Sequence, residues 1–187
     1  MIDVTDPHSV TTAATEVQTR FPDLNVLVVM SGIMLPEDLH ISAFLDVAER
    51  TVATNLLGTI RVVVAFTEFL AARPNAAILT VSSGLAFVPL PFTPTYKATK
   101  AAIHSFTCGM RLQLKNTNIQ VIELIPPGVR AILMDQQNCE QSMPLADFLD
   151  ETMDLLGTDP DANEILVEPV KFVHFSEING TYDNIVA

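Results

Sequence analysis

The chain has 187 residues, 49% apolar and 17% charged, enough for one domain with a real core and too little charge for global disorder. Twenty-two acidic residues against ten basic ones leave a net charge of −12, a field that repels polyanions, so neither nucleic acid nor an anionic membrane surface is expected as a partner. Two cysteines, Cys108 and Cys139, are too few for a disulfide framework and read as packing thiols in a reducing cytoplasm.

Residues 2–4 read as a scrap of strand. Asp6-Pro7 then opens a helix, with Asp6 as cap and Pro7 in the first turn. Val10, Ala13, Ala14 and Val17 keep its period up to Arg20. Residues 25–30 (NVLVVM) form an apolar run of strand length, expected to be buried on both faces. Residues 42–72 read as one long helix carrying Phe44, Val47, Ala48, Val52, Leu56, Val63, Phe66 and Leu70 at helical spacing. Residues 76–82 (AAILTVS) are a second buried strand, followed by a proline-rich loop over 84–94.

A second long helix spans 96–114. A third buried strand spans 119–125 and stops at Pro126-Pro127. Residues 144–156 read as a helix with Leu145, Phe148, Leu149, Met153 and Leu156 inward. Periodicity does not decide between strand and helix for 165–175. The alternation predicts a parallel α/β sheet with crossover helices. No basic-then-apolar leader opens the chain, and its longest apolar stretch, 25–35, falls far short of a membrane span. A glycosylation sequon at Asn179-Gly180-Thr181 reads as coincidence.

Tyr96 and Lys100 are four apart on one predicted helix and so share a face. A phenol is a poor proton carrier near neutrality. A neighbouring ammonium favours phenolate and would make it a usable acid/base. Ser83 lies thirteen residues upstream of Tyr96, just past the end of a buried strand, where parallel α/β proteins place their sites. Asn55 sits inside the long helix, at a position of poor helix propensity.

Asn55, Ser83, Tyr96 and Lys100, in this order, resemble the tetrad of the short-chain dehydrogenase/reductase family. The surrounding text is similar too: NVLVVMSGI at 25–33, TNLLG at 54–58, TVSSG at 80–84, YKATKAA at 96–102 and IPPGVR at 125–130. The resemblance implies a Rossmann-like three-layer fold and a soluble oxidoreductase. It would move hydride between NAD or NADP and a small-molecule carbonyl or secondary alcohol. Tyr96 would exchange the proton, Lys100 would lower its pKa and hold the nicotinamide ribose, Ser83 would orient the substrate oxygen, and Asn55 would hold a relay water. Asp3, Ser31, Gly32, Tyr96, Lys100, Pro126 and Val129 would contact the cofactor. Helices 42–72 and 96–114 would build a homodimer or homotetramer, and 134–158 would be the substrate lid.

The sequence also departs from that family. Its seven glycines stand at 32, 58, 84, 109, 128, 157 and 180. The closest two are nineteen apart, so no glycine-rich dinucleotide turn exists in it. Residues 1–187 are therefore expected to form a single incomplete domain, N-terminally truncated by roughly sixty residues, or two strand–helix units. The strand at 26–29 would lack its neighbour. The position that usually offers a threonine to the nicotinamide carboxamide is Ala131, and the usual Asn-Asn after the family's fourth strand is here Val29-Met30. The Pro126-Pro127 pair and the tail resemble the DltE-like branch. No metal site is expected: His104 and Cys108 share a helix face without an evident third ligand. The alternative reading is a non-catalytic remnant of the family that only oligomerises.

Overall fold

The computed structural model describes residues 1–89 and 91–187, so residue 90 of the predicted proline-rich loop lies outside the described residues. Four strands form one sheet in the order β1-β2-β3-β4, every neighbouring pair parallel. They are β1 (Val26–Val29), β2 (Ala76–Val81), β3 (Ile119–Leu124) and the two-residue β4 (Glu164–Ile165). The helices are α1 (Pro7–Arg20), α2 (Phe44–Thr51), α3 (Thr59–Ala71), α4 (Pro94–Leu114), α5 (Leu145–Thr158), α6 (Glu168–His174) and α7 (Tyr182–Val186). The fold is Rossmann-like α/β, as the alternation predicts.

The caps behave as the chain chemistry requires. The Asp6 carboxylate accepts from the His8 N–H at 2.9 Å, with Pro7 in the first turn of α1. One sheet face packs on α1, α3 and α4, through Val10, Ala14, Val63, Phe66, Leu70, Ile78 and Val121. The other face packs on α5 and α6 through Leu79, Ile122, Phe148, Ile165 and Val170. Thr80 and Thr107 share a 2.7 Å hydroxyl hydrogen bond inside the first layer, tying α4 to β2.

Several expectations need correction. Residues 2–4 are not a strand; Val4 instead packs into the core. β1 is not buried on both faces. Val26 is 51% and Val28 47% exposed, because among the described residues no helix covers that side of the sheet at β1, while Leu27 and Val29 face the α1–α3 layer. The long helix is not uniform. A π-helical segment, Val52–Gly58, separates α2 from α3. Over its full extent, Phe44–Ala71, it is long and apolar enough to cross a membrane by length and composition; here it packs against α1, α4, β1 and β2.

In α5 the inward residues are Phe148 and Thr152, backed by Leu155 and Leu156. Leu149 and Met153 face outward, and Leu145, half exposed, lines the cleft, since α5 covers the sheet along a narrower stripe than an all-apolar reading assumes. The undecided segment contains both elements: β4 covers two residues, and Pro169 then suits the first turn of α6.

Candidate active site

β2 stops at Val81 and β3 at Leu124, and their carboxyl ends open on a cleft of about 760 Å³. Parallel strands end there with unsatisfied backbone and short loops, which is why such sheets bind ligands at that edge. Ser83, Tyr96 and Lys100 line this cleft together, as do Pro126 and Val129. Gly32 stands at its margin: a methyl group there would lie 3.9 Å from Lys100 Nζ and 3.4 Å from Asn55 Oδ1. Asp3 and Ser31 are exposed and are not among the residues lining the cleft. The Asp3 carboxylate instead accepts from the Thr5 N–H at 2.9 Å and the Thr5 hydroxyl at 2.7 Å, which hold its pKa below the usual carboxylate value.

Asn55 is 2% exposed and turns away from the cleft. Its carboxamide clasps one backbone residue, accepting from the Ile33 N–H at 2.8 Å and donating to the Ile33 carbonyl at 2.8 Å. Nδ2 also reaches Thr99 Oγ1 at 3.3 Å. The carboxamide is thus engaged by Ile33 and Thr99. It fixes the loop after β1 against α4, and the π segment is what aims it there.

Tyr96 is 6% exposed. Burial raises its pKa above the ordinary phenol value, and the hydrogen-bonding side chain of Ser83 offsets part of that rise. The expected lowering by Lys100 is not what dominates here. The Lys100 ammonium donates to the Val81 carbonyl at 2.8 Å and lies 5.6 Å from the Tyr96 ring centre. Burial brings the lysine itself down to about 8, against a raising influence from Glu123. Ser83 Oγ also accepts from the Leu85 N–H at 3.2 Å, so the serine is held by the short turn that follows β2. Beside it, Ser82 Oγ is buried without a partner among the described residues.

Two further residues escaped the sequence reading. Arg130 donates from Nε to the carbonyls of Cys139 (3.2 Å) and Ser142 (3.0 Å), and from Nη2 to that of Glu140 (3.0 Å). It laces the excursion between β3 and α5 into one wall of the cleft, and the bridge Val129–Met143 closes that excursion. Glu123 is fully buried on β3, and both its oxygens meet His104 Nδ1, at 2.9 and 3.1 Å. Its signal was legible: a carboxylate inside an apolar strand run needs a buried partner. His104, Cys108 and Glu123 bring ligand-type atoms within 4.8 Å of one another. The carboxylate is already engaged by His104, and Arg111 Nη1 sits 3.9 Å from Cys108 Sγ, so the trio is read as a hydrogen-bonded pair beside a thiol.

The short chain dehydrogenase family profile matches residues 1–142. The chain belongs to that family. It is 40% identical over 127 residues to the uncharacterized oxidoreductase DltE of Bacillus subtilis, a match covering 66% of this chain and 50% of that protein. It is 28% identical over 145 residues to mouse estradiol 17-beta-dehydrogenase 2, covering 76% and 38%. Its fold matches a short chain dehydrogenase of Burkholderia cenocepacia in complex with NADP, with a TM-score of 0.85 at 22% identity, over 100% of this chain and 79% of that one. The chain spans half or less of the length of these two curated relatives.

Proposed function

We propose that this chain carries the proton-transfer half of an NAD(P)-dependent oxidoreductase acting on a carbonyl or secondary alcohol. One observation carries the reading: Ser83, Tyr96 and Lys100 share one wall of a cleft at the carboxyl ends of parallel strands. The cleft fits the nicotinamide end of such a cofactor, with the Lys100 ammonium and the Tyr96 phenol side by side and an unpartnered Ser82 hydroxyl available to a ligand. It does not fit the pyrophosphate end, because no two glycines in the sequence are close enough to build the phosphate turn. When bound, the nicotinamide supplies the hydride.

The residues do the rest. A phenol held above its ordinary pKa is protonated at neutral pH and so is a proton donor. Its Oη would deliver that proton to a substrate oxygen, which Ser83 Oγ orients by hydrogen bonding. Lys100 offsets the negative charge left on the phenolate. Asn55 holds the wall from behind. The largely apolar lining, with Met30, Met34, Val88, Leu133, Met143 and Phe148, favours an apolar substrate body, and the excursion laced by Arg130 together with α5 serves as its lid. The 40% identity to the Bacillus subtilis protein supports placement in the DltE-like branch. The outer faces of α2–α4 expose Leu45, Leu57, Val64 and Leu112 and suit a helix-to-helix interface with a second copy.

The test is reduction of a carbonyl panel with NADPH or NADH, followed by loss of reduced-nicotinamide absorbance. Tyr96→Phe is expected to lower turnover by about 10²-fold or more. Undiminished turnover would overturn the assignment. A second reading, a chain that oligomerises without binding cofactor, is favoured by the exposed face of β1. A folded oligomer with no nicotinamide binding, by fluorescence or saturation-transfer NMR, selects it.

A further inference from the structure

Among the described residues, Glu123 is a fully buried acid near the site that the proposed chemistry leaves unused. It sits on β3 opposite Thr80 of β2, and the next register pair is Val81 with Leu124. The carbonyl of that same Val81 accepts the Lys100 ammonium. Tyr96, Lys100 and His104 follow at four-residue spacing on α4, so they form one stripe facing the sheet. His104 closes the stripe by holding both Glu123 oxygens. The carboxylate therefore lies under the same helix face as the ammonium, in a layer from which solvent is excluded, where charges act strongly on each other.

We propose that the Glu123–His104 pair is a positioning device for Lys100: it clamps α4 to β3 one helical turn from the lysine, and it sets a buried negative charge under the helix face that carries the ammonium. The pair does not touch the cleft and is not itself catalytic. His174 of α6 packs edge-on against Phe87, which packs in turn on His104, and His174 Nε2 lies 3.3 Å from Glu164 of β4. On α4, Cys108 and Arg111 lie one and two turns beyond His104. None of these brings a second carboxylate onto the Lys100 face. Glu123 correspondingly raises the lysine's pKa against the lowering by burial.

The proposal rests on the reading of Lys100 as the ammonium beside the reacting phenol, but its test does not use turnover, so the two fail separately. The chain has four lysines. In the full chain labelled with [13C]lysine, the Lys100 Cε signal is assigned by its loss in Lys100→Met and followed through a pH titration. The wild-type midpoint is expected near 8. Glu123→Gln keeps the size and the hydrogen bond but removes the charge, and is expected to lower the midpoint by about half a pH unit or more. His104→Leu leaves the carboxylate unpaired, so it takes up a proton or moves away, and the midpoint falls as well. His104→Gln restores a donor and is expected to restore the wild-type midpoint. A folded Glu123→Gln protein with an unchanged midpoint overturns the proposal. Should that variant not fold, equal midpoints in His104→Leu and His104→Gln overturn it.

Discussion

Lys100 is a costly residue to bury. Its pKa drops from 10.5 to about 8, with burial as the main cause, which corresponds to about 3 kcal/mol. The sign follows from proton counting. Below pH 8 both folded and unfolded chains hold the proton, and the folded state bears the full desolvation cost. Between about 8 and 10.5 the unfolded chain binds more protons, so stability rises with pH; above that window the cost is gone. Lys100→Met is therefore expected to be more stable than wild type at pH 7, by about 1–3 kcal/mol, and this advantage should shrink to near zero by about pH 10.5. Thermal or urea unfolding at several pH values checks it. A variant equally stable at pH 7 would mean that the hydrogen bond to Val81 offsets the burial. The same site thus holds function at the expense of stability.

At the scale of elements, the π segment is what makes the second layer a support for the cleft. An α-helix through 52–58 would rotate Asn55 off the Ile33 backbone; the extra residue per turn puts its carboxamide there. Gly58 ends that segment, and a methyl group on it would sit 2.7 Å from Val4 Cγ2 and 3.0 Å from Val4 Cβ. The N-terminal segment is docked through this close approach. Gly58→Ala is expected to cost about 1–3 kcal/mol by overpacking, and Val4→Ala should recover part of that loss. A double-mutant cycle in urea checks the coupling; strictly additive effects would show that the segment is not held there.

For the whole molecule, the decisive feature is the asymmetric covering of the sheet. α5 and α6 shield one face over β2 to β4 but leave it open at β1, where Val26, Val28 and Met30 are exposed. An apolar strand at a sheet edge with one bare face is a template for association. Val28→Lys is expected to reduce self-association in light scattering, with a change in unfolding free energy within about 0.5 kcal/mol, as for other exposed positions. An unchanged scattering profile would shift association to the outer faces of α2–α4.

Much of this was legible in the residues. Apolar runs at 76–82 and 119–125 mark strands because the parallel sheet is covered on both sides there, the run at 25–30 marks a strand by its length and composition although one of its faces is bare, and Asp6-Pro7 marks a helix start because the Asp6 carboxylate satisfies a free N–H. Ser83, Tyr96 and Lys100 were grouped by the resemblance of their order and surrounding text to the family; the strand end and the four-residue helical spacing are local properties consistent with that grouping, and the three residues line one cleft. The rest depended on distant chain. Whether β1 is covered is a question about which helix packs on it, so Val26 and Val28 could not be told from core by their apolarity. The hydrogen bonds of Asn55 were not legible, since its partner, Ile33, is distant in the chain and is reached through a π segment that no local pattern announces. The direction of the Tyr96 shift was not legible for a related reason: spacing brings an ammonium near a phenol, but burial, set by everything packed around them, raises the phenol's pKa. Sequence spacing thus selects which groups meet, and tertiary packing sets their solvation and hence their charge.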